Sequence, residues 1–295
     1  MNLIELCATL KATAVSDIEL PHYLLGAFRR KSISFCNGLT DETTLVYWFQ
    51  SKSFSLDLRL KDPRETDVLE RQAWIGNTLW DAKQQLLSWQ ITASYQNHVQ
   101  WPEPAKLHPI GNALLEFSPS NAYVEDWRQQ ASCGLYLGLR LFKIENTTLN
   151  TSYAADGGLV ICDHLMAFAQ SRTPEVQQRV ASYVSLAEGL AQQHISEQDL
   201  EDFELSVSLD GKNIALTTLS QQQGTVFDLE HFEMLDADTL VQTRKIRGQL
   251  CRLYFHLDVF QPNFLFAIES ETSQDSQQWI KQERHHLLHH AKIIT

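Results

Sequence analysis

The chain lacks the sequence features that define several large classes of protein. Its five cysteines are odd in number and widely spaced, and no two of them form a CxxC pair. A disulfide framework or a structural zinc site is therefore not expected. No apolar run approaches the roughly 18 residues that cross a bilayer, and residues 1–11 lack the basic and apolar regions of a secretory signal. These absences predict a cytoplasmic protein with reduced thiols and no membrane span.

Cofactor and nucleic-acid chemistry also have no support in the sequence. The chain contains no GxGxxG after a strand, no GxxxxGKS/T and no GxSxG, so nucleotide binding and α/β-hydrolase chemistry lack their usual motifs. Aspartate and glutamate number 36 against 24 lysines and arginines, which gives a formal net charge of −12. Phosphate backbones and anionic membrane surfaces attract basic proteins. We therefore expect no cofactor, no nucleic-acid partner and no anionic membrane surface as partner.

The 295 residues do contain a weak internal repeat. Similar segments recur at a nearly constant spacing of 111–114 residues, beginning with residues 23–33 and 135–145. A repeat of this length indicates two similar units, each within the usual size of a domain. We predict one unit over residues 1–131, which includes an N-terminal helix, and a second unit over residues 132–295.

Strand signals dominate both units. Short segments rich in β-forming residues are separated by turns, and residues 252–260 alternate apolar and polar side chains. Asp210-Gly211, between two such segments, predicts a tight hairpin turn. Helical patterns are few, and the clearest covers residues 174–193, with Val184 in its apolar stripe. Together these patterns predict an all-β antiparallel sandwich or barrel fold with a few added helices.

Residues 45–60, LVYWFQSKSFSLDLRL, predict a hairpin of two strands joined by a short polar turn. Alternate side chains of a strand point to opposite faces, so Asp57 and Arg59 share one face while Leu56 and Leu58 share the other. The default interpretation buries the leucine face and leaves the charges as a surface pair. The alternative turns Asp57 and Arg59 inward, where they need partners and could hold a carboxylate or phosphate.

Five segments of the sequence resemble a known family. They are YLLGAFRR, VYWFQSKSFSLDLRL, WQITASY, ALLEFSPSNAYVEDWRQ and GGLVICDHLMAFAQSR. They resemble an uncharacterised group, with fungal and bacterial members, whose chains contain two lipocalin-like (calycin-type) β-barrels. The resemblance implies two tandem lipocalin-like antiparallel barrels and no established activity. Phe28 stands where the group usually has tryptophan, and QSKS replaces QTGS at the hairpin turn. In such barrels Phe28 would plug one end, with Arg128 stacked across it.

Two histidine-containing motifs carry chemically versatile side chains. In the CDH tripeptide, a strand would place Cys162 and His164 on one face and Asp163 on the other, which prevents a relay within the tripeptide. A C-terminal helix predicted over residues 275–292 carries four histidines whose i, i+4 spacing can chelate zinc: His285, His286, His289 and His290. We favour a structural role for the tripeptide and a solvent-facing histidine tract, so no catalytic or metal-binding residue is predicted.

The strand pattern and the resemblance together predict a non-enzymatic binding protein. A barrel of about eight strands has an interior just wide enough for side chains or one small ligand. We expect a small apolar or amphipathic ligand in the first barrel, lined by Trp48, Gln50, Asp57, Arg59 and Trp127. Two alternatives stay open: a protein-interaction scaffold whose barrels are filled by their own side chains, and an isomerase or cyclase inside a barrel. The enzyme would need a histidine or carboxylate with a perturbed pKa in a dry cavity.

Overall fold

The first half of the chain forms a closed antiparallel β-barrel. A computed structural model describes residues 1–97, 103–269 and 271–290. The strands of this half are β1 (Gly26–Phe35), β2 (Thr40–Asp41), β3 (Leu45–Gln50), β4 (Phe54–Leu60), β5 (Gln72–Asp81), β6 (Leu86–Ser94), β7 (Ala105–Ile110), β8 (Ala113–Phe117) and β9 (Tyr123–Gln129). β3 to β9 pair in sequence, and β1 pairs with both β3 and β9, while β2 pairs only with β1. Eight strands therefore close the barrel.

The second half forms an antiparallel sheet of eight strands. They are β10 (Cys133–Asn146), β11 (Thr151–Cys162), β12 (Leu165–Gln170), β13 (Glu204–Ser208), β14 (Ile214–Thr217), β15 (Phe232–Met234), β16 (Thr239–Ile246) and β17 (Gln249–Leu265). Their order is β14-β13-β12-β11-β10-β17-β16-β15, so β14 and β15 are the edges of the sheet within the described residues. The predicted Asp210-Gly211 turn joins β13 to β14, and Gly211 has a φ of +72° there. The predicted all-β class is confirmed.

The helices are short and lie beside the sheets. They are α1 (Leu3–Cys7), α2 (Pro174–Ala181), α3 (Leu186–Ala191), α4 (Glu197–Leu200) and α5 (Gln274–Leu288). The prediction of one helix over residues 174–193 is wrong, because the helix breaks between α2 and α3 and leaves Val184 84% exposed. Ser185 begins α3 by accepting a hydrogen bond from the Glu188 backbone N–H, the arrangement in which serine favours a helix start. No described helix is long and apolar enough to cross a membrane.

The N-terminal helix α1 packs in the second sheet, although the sequence analysis placed it with the first barrel. Asn2 and Glu5 form a capping box at its start. Leu3 and Leu6 are buried in the apolar core of the second sheet, and the Leu3 backbone N–H donates to the Leu229 carbonyl at 2.8 Å. A five-residue helix is unstable alone, so this packing is what holds it.

The outer face of the first barrel packs against the second sheet. Buried side chains from both halves form one apolar cluster, which includes Phe54, Leu56, Leu58 and Leu60 of β4 together with Tyr136, Val160 and Val207. The halves approach so closely that a methyl group added at Gly158 would lie 2.7 Å from the Phe54 ring. Full burial stabilises each large apolar side chain by about 1.5–3 kcal/mol. The leucine face of β4 is therefore buried, but against the other half of the chain instead of inside the barrel.

The turn of the 45–60 hairpin is held by a carboxylate of the second half. Asp258 of β17 accepts hydrogen bonds from the Ser51 hydroxyl at 2.5 Å, the Ser53 backbone N–H at 3.0 Å and the Ser53 hydroxyl at 2.5 Å. The Tyr136 hydroxyl donates to the Gln50 carbonyl at 2.9 Å. Hydrogen bonds to an ionised acceptor are among the stronger ones in proteins, so this contact fixes β3 and β4 on the second sheet.

Candidate ligand site in the first barrel

The first barrel encloses a cavity between six of its strands. Its volume, measured at the centres of water-sized molecules, is about 60 Å³. Since one water needs roughly 10–15 Å³ on this measure, the cavity has room for about four waters or a compact organic group. Its lining is rich in aromatic and charged side chains: Trp48, Asp57, Arg59, Gln72, Ala73, Trp74, Trp89, Ile91, Ser94, Gln96, Glu116, Tyr123, Glu125 and Trp127.

Four tryptophans form much of the cavity wall. Trp48 stands at the centre, with ring centroids 5.8 Å from Trp89 and 5.8 Å from Trp127, both edge to face. Trp74 lies 6.0 Å from Trp89, and Phe28 stacks on Trp48 at 4.8 Å. These are favourable aromatic geometries. The Trp89 indole N–H is buried, yet it has no hydrogen-bond partner in the described part of the chain.

Asp57 and Arg59 lie on the inner face of β4. The Arg59 Nε donates to Asp57 Oδ1 at 2.7 Å, and its terminal nitrogen lies 3.4 Å from Oδ2. The Asp57 residue is only 1% exposed. Burial opposes the charge of Arg59, but the negative charges of Asp57 and then Glu125 outweigh it and raise the pKa of the guanidinium. The pair is therefore a buried ion pair rather than a surface one.

Two glutamates face each other across β8 and β9. Glu116 and Glu125 are register partners, and the Trp127 indole N–H donates to both of them, at 2.9 Å and 3.2 Å. Arg30 of β1 donates to Glu125 at 2.7 Å. Tyr123 donates to Glu116 at 3.3 Å, but the described residues offer Glu116 no ion-pair partner.

The charge state of Glu116 follows from its surroundings. Burial, and then the negative charge of Glu125, raise the pKa of Glu116 well above its ordinary value. The Trp127 hydrogen bond and the Arg59 charge act in the opposite direction and are smaller. The surroundings therefore favour the neutral form of Glu116, as expected for one member of a pair of carboxyl groups that share a site.

Four of the five residues predicted from the sequence line this cavity. Trp48, Asp57, Arg59 and Trp127 converge on it. Gln50 does not line it, because its side-chain amide is hydrogen-bonded to neighbouring barrel residues. Its Nε2 donates to the Ser51 and Phe54 carbonyls, and its Oε1 accepts from the Ser55 hydroxyl. It closes the hairpin end of the interior.

The sequence analysis missed Arg30, Glu116 and Glu125. The two-residue period of β9 places Glu125 on the same face as the predicted Trp127. The sequence therefore contained a signal for Glu125. The predicted stacking of Arg128 on Phe28 is wrong. Arg128 lies on the outer surface, paired with Asp126 at 2.6 Å, while Phe28 points inward to Trp48.

The histidine motifs form no metal centre within the described residues. Cys162 is fully buried at the end of β11, and burial raises the pKa of its thiol. Asp163 begins a turn with a φ of +59° and pairs with the exposed His164 at 2.8 Å. The expectation that Cys162 and His164 share a strand face is therefore wrong. Helix α5 ends at Leu288, so it contains His285 and His286 but not His289 and His290, and none of its residues is buried; residues 291–292 of the predicted helix lie outside the described residues.

A second group of cavities meets at Arg244, in the second half. The Arg244 guanidinium lies 4.9 Å from the Phe168 ring centroid, 3.8 Å from Glu204 and 4.0 Å from Asp228. These spaces are larger than the barrel cavity, with about 420 Å³ and 180 Å³ on the same measure, and they are lined by charged side chains of both signs and contain no tryptophan. The aromatic walls and the buried carboxyl pair make the first barrel the stronger candidate site.

Comparisons of the chain with protein-family models, with curated proteins and with solved structures find no match.

Proposed function

We propose that the chain is a non-enzymatic, cytoplasmic binding protein whose first barrel takes a small amphipathic ligand. The observation that carries this proposal is the cavity itself, in which four indoles surround charged side chains and an unpartnered indole N–H. Burying charged groups is costly unless they are paired. A barrel filled only for stability would favour apolar residues at these positions.

The size of the cavity limits the ligand. Four water positions correspond to roughly 120 Å³ of liquid water, since each water occupies about 30 Å³. That volume suits a molecule of about four to six non-hydrogen atoms. The apolar part of such a ligand would contact the indoles and Ile91, and its polar part would meet the charged cluster.

In this proposal the second half of the chain supports the ligand-binding barrel. Its sheet covers the outer face of the first barrel and contains its own apolar core, which α1 completes. We propose that it is a second lipocalin-like barrel in type and acts as the support that keeps the first barrel closed. The interaction-scaffold alternative applies to its exposed surface, where no observation favours a particular partner.

A cavity-filling variant tests the proposal. Ser94 lines the cavity and Gln90, on the same strand, is exposed. Ser94→Phe is expected to occupy the cavity, whereas Gln90→Phe places the same ring on the outer surface. Ligand-observed NMR with tert-butanol, tert-butylammonium and pivalate as probes should detect binding to wild type and Gln90→Phe and lose it in Ser94→Phe. If wild type binds none of these probes, or if the filled variant binds them equally well, the proposed function is wrong.

A further inference from the structure

The charged groups inside the first barrel are not balanced. Arg59 is committed to Asp57 through two contacts, and Arg30 is shared between Glu125 at 2.7 Å and Asp41 at 3.0 Å. The barrel interior contains three carboxyl groups and two guanidinium groups, Asp57, Glu116, Glu125, Arg30 and Arg59, while Asp41 reaches Arg30 from β2 outside the barrel. Arg59 pairs with Asp57 and Arg30 with Glu125, so Glu116 is the interior carboxyl group for which the described residues provide no ion-pair partner. The interior therefore has one more carboxyl group than it has guanidinium groups.

The tryptophan rings of the cavity wall also lack a cation partner. Indole faces attract cations more strongly than other aromatic rings do. Elsewhere in the molecule arginines and a lysine lie over phenylalanine and tyrosine rings, as Arg140 does over Phe54 at 5.0 Å. Among the described residues, no lysine or arginine lies over Trp48, Trp74 or Trp89. Phe28 already covers one face of Trp48, so the candidate indole faces for a ligand are those of Trp74 and Trp89.

Resting on the proposed function above, we propose that the ligand of the first barrel is a compact organic ammonium ion. Its charge would lie between the Glu116 carboxyl group and the indole faces, and its alkyl groups would contact Ile91. The unpartnered Trp89 N–H would donate to a hydroxyl or carbonyl oxygen of the same ligand. An anion is disfavoured, because Arg59 is already neutralised by Asp57 and two further carboxyl groups face the same space.

Binding of the ammonium ion is coupled to a proton in this proposal. The groups that face Glu116 are Glu125 and Tyr123 on β9 and Arg59 on β4, whereas its register partner on β7 is the apolar Leu107. Burial raises the pKa of Glu116 and so favours the protonated form of that carboxyl group in the cavity. An arriving ammonium ion replaces the proton. The affinity should then rise with pH, by up to about tenfold per pH unit, until Glu116 ionises without a ligand.

A charge series built on one tert-butyl group tests this inference. tert-Butylammonium and tert-butanol are close in size and carry a positive and a neutral head, while pivalate carries a negative head on a molecule two non-hydrogen atoms larger. NMR titration of the tert-butyl signal gives the affinities, and calorimetry in phosphate and in Tris gives the protons released. We expect tert-butylammonium to bind at least about tenfold more tightly than tert-butanol, with release of about one proton per ion bound.

Two variants separate the charge effect from a general loss of structure. Glu116→Gln should weaken tert-butylammonium by about tenfold and abolish proton release, and it should change the affinity for tert-butanol much less. Asp126→Asn removes the same formal charge from the outer face of β9 and should leave both affinities as they are. Circular dichroism establishes that both variants are folded.

The remaining outcomes contradict the inference in distinguishable ways. Equal affinities for the three probes, or a preference for tert-butanol, would overturn the ammonium ligand and leave the binding function standing. A preference for pivalate would overturn it and identify Arg59 as the anchor. If no probe binds, the binding function itself fails, and this inference fails with it.

Discussion

Replacing Glu116 by glutamine isolates the charge state of the buried carboxyl group. Burial, and then the charge of Glu125, raise the pKa of Glu116 well above its ordinary value of 4.5. Between these two values the folded protein holds a proton that the unfolded chain has released. The free energy of unfolding of the wild type therefore falls as pH rises, by up to about 1.4 kcal/mol per pH unit from this group. Glutamine has no such dependence.

The free energy of unfolding of Glu116→Gln minus that of wild type should accordingly increase with pH. The variant becomes relatively more stable as pH rises. The rise begins near the ordinary pKa of 4.5 and ends above the folded-state pKa, where both states have lost the proton. Urea unfolding followed by tryptophan fluorescence, at unit steps between about pH 5 and pH 8, measures it. Groups that do not interact with Glu116 titrate alike in both proteins and cancel in the difference.

The Asp126→Asn variant is the matched control for this experiment. Asp126 is adjacent to Glu125 in the chain but lies on the outer face of β9, paired with Arg128. Asp126→Asn should change the free energy of unfolding by a small amount. This change should not grow with pH as the change for Glu116→Gln does. A difference between Glu116→Gln and wild type that stays constant across the range would show that Glu116 is ionised in the folded cavity. That result would refute the argument for its proton.

Three further predictions concern packing, and urea unfolding midpoints measure all of them. Leu56→Ala, at a fully buried position, should lower the free energy of unfolding by about 2–5 kcal/mol. Leu79→Ala, at a position that is 53% exposed, should change it by no more than about 0.5 kcal/mol. Equal changes in the two variants would contradict the assigned faces. Asp258→Ala should cost about 2 kcal/mol because the hairpin turn loses its ionised acceptor. Gly158→Ala should cost about 1–3 kcal/mol because its methyl group would lie 2.6 Å from the Leu139 carbonyl oxygen and 2.7 Å from the Phe54 ring. An unchanged midpoint in either of these two variants would contradict the corresponding contact.

The hairpin at residues 45–60 shows how much an alternating pattern can predict. Its two strands and its turn follow from the residues alone, and the structure pairs Leu45 with Leu60 and Gln50 with Ser55. The same alternation separates the leucines from Asp57 and Arg59. It cannot decide which set faces the barrel interior, because both faces of β4 are buried. The residues that pack against each face of β4 lie far away in the sequence.

The remaining members of the charged cluster depend on contacts that no local pattern contains. Glu125 shares a face with Trp127 and was accessible to the period-two argument. Arg30 was accessible in the same way, because it lies two residues after Phe28, and the register irregularity of β1 begins only after Arg30. The partner of Glu116 is set by the pairing of β8 with β9. Short-range patterns therefore predict the strands and the main lining residues, while the electrostatics of the site arise from strand register.

The polar interior of the first barrel and its apolar outer face result from a single register. A slip of β4 by one residue would carry Leu56 and Leu58 into the cavity and turn Asp57 and Arg59 onto the second sheet. There the charges would lose Glu125 and meet an apolar surface, which is costly. The leucines in turn require the second half, since a barrel without it would expose them. The packing of the two halves thus holds the charged face inward. It follows that the candidate site depends on a contact outside the barrel, so that Leu56→Ala should weaken probe binding as well as stability, although Leu56 does not line the cavity.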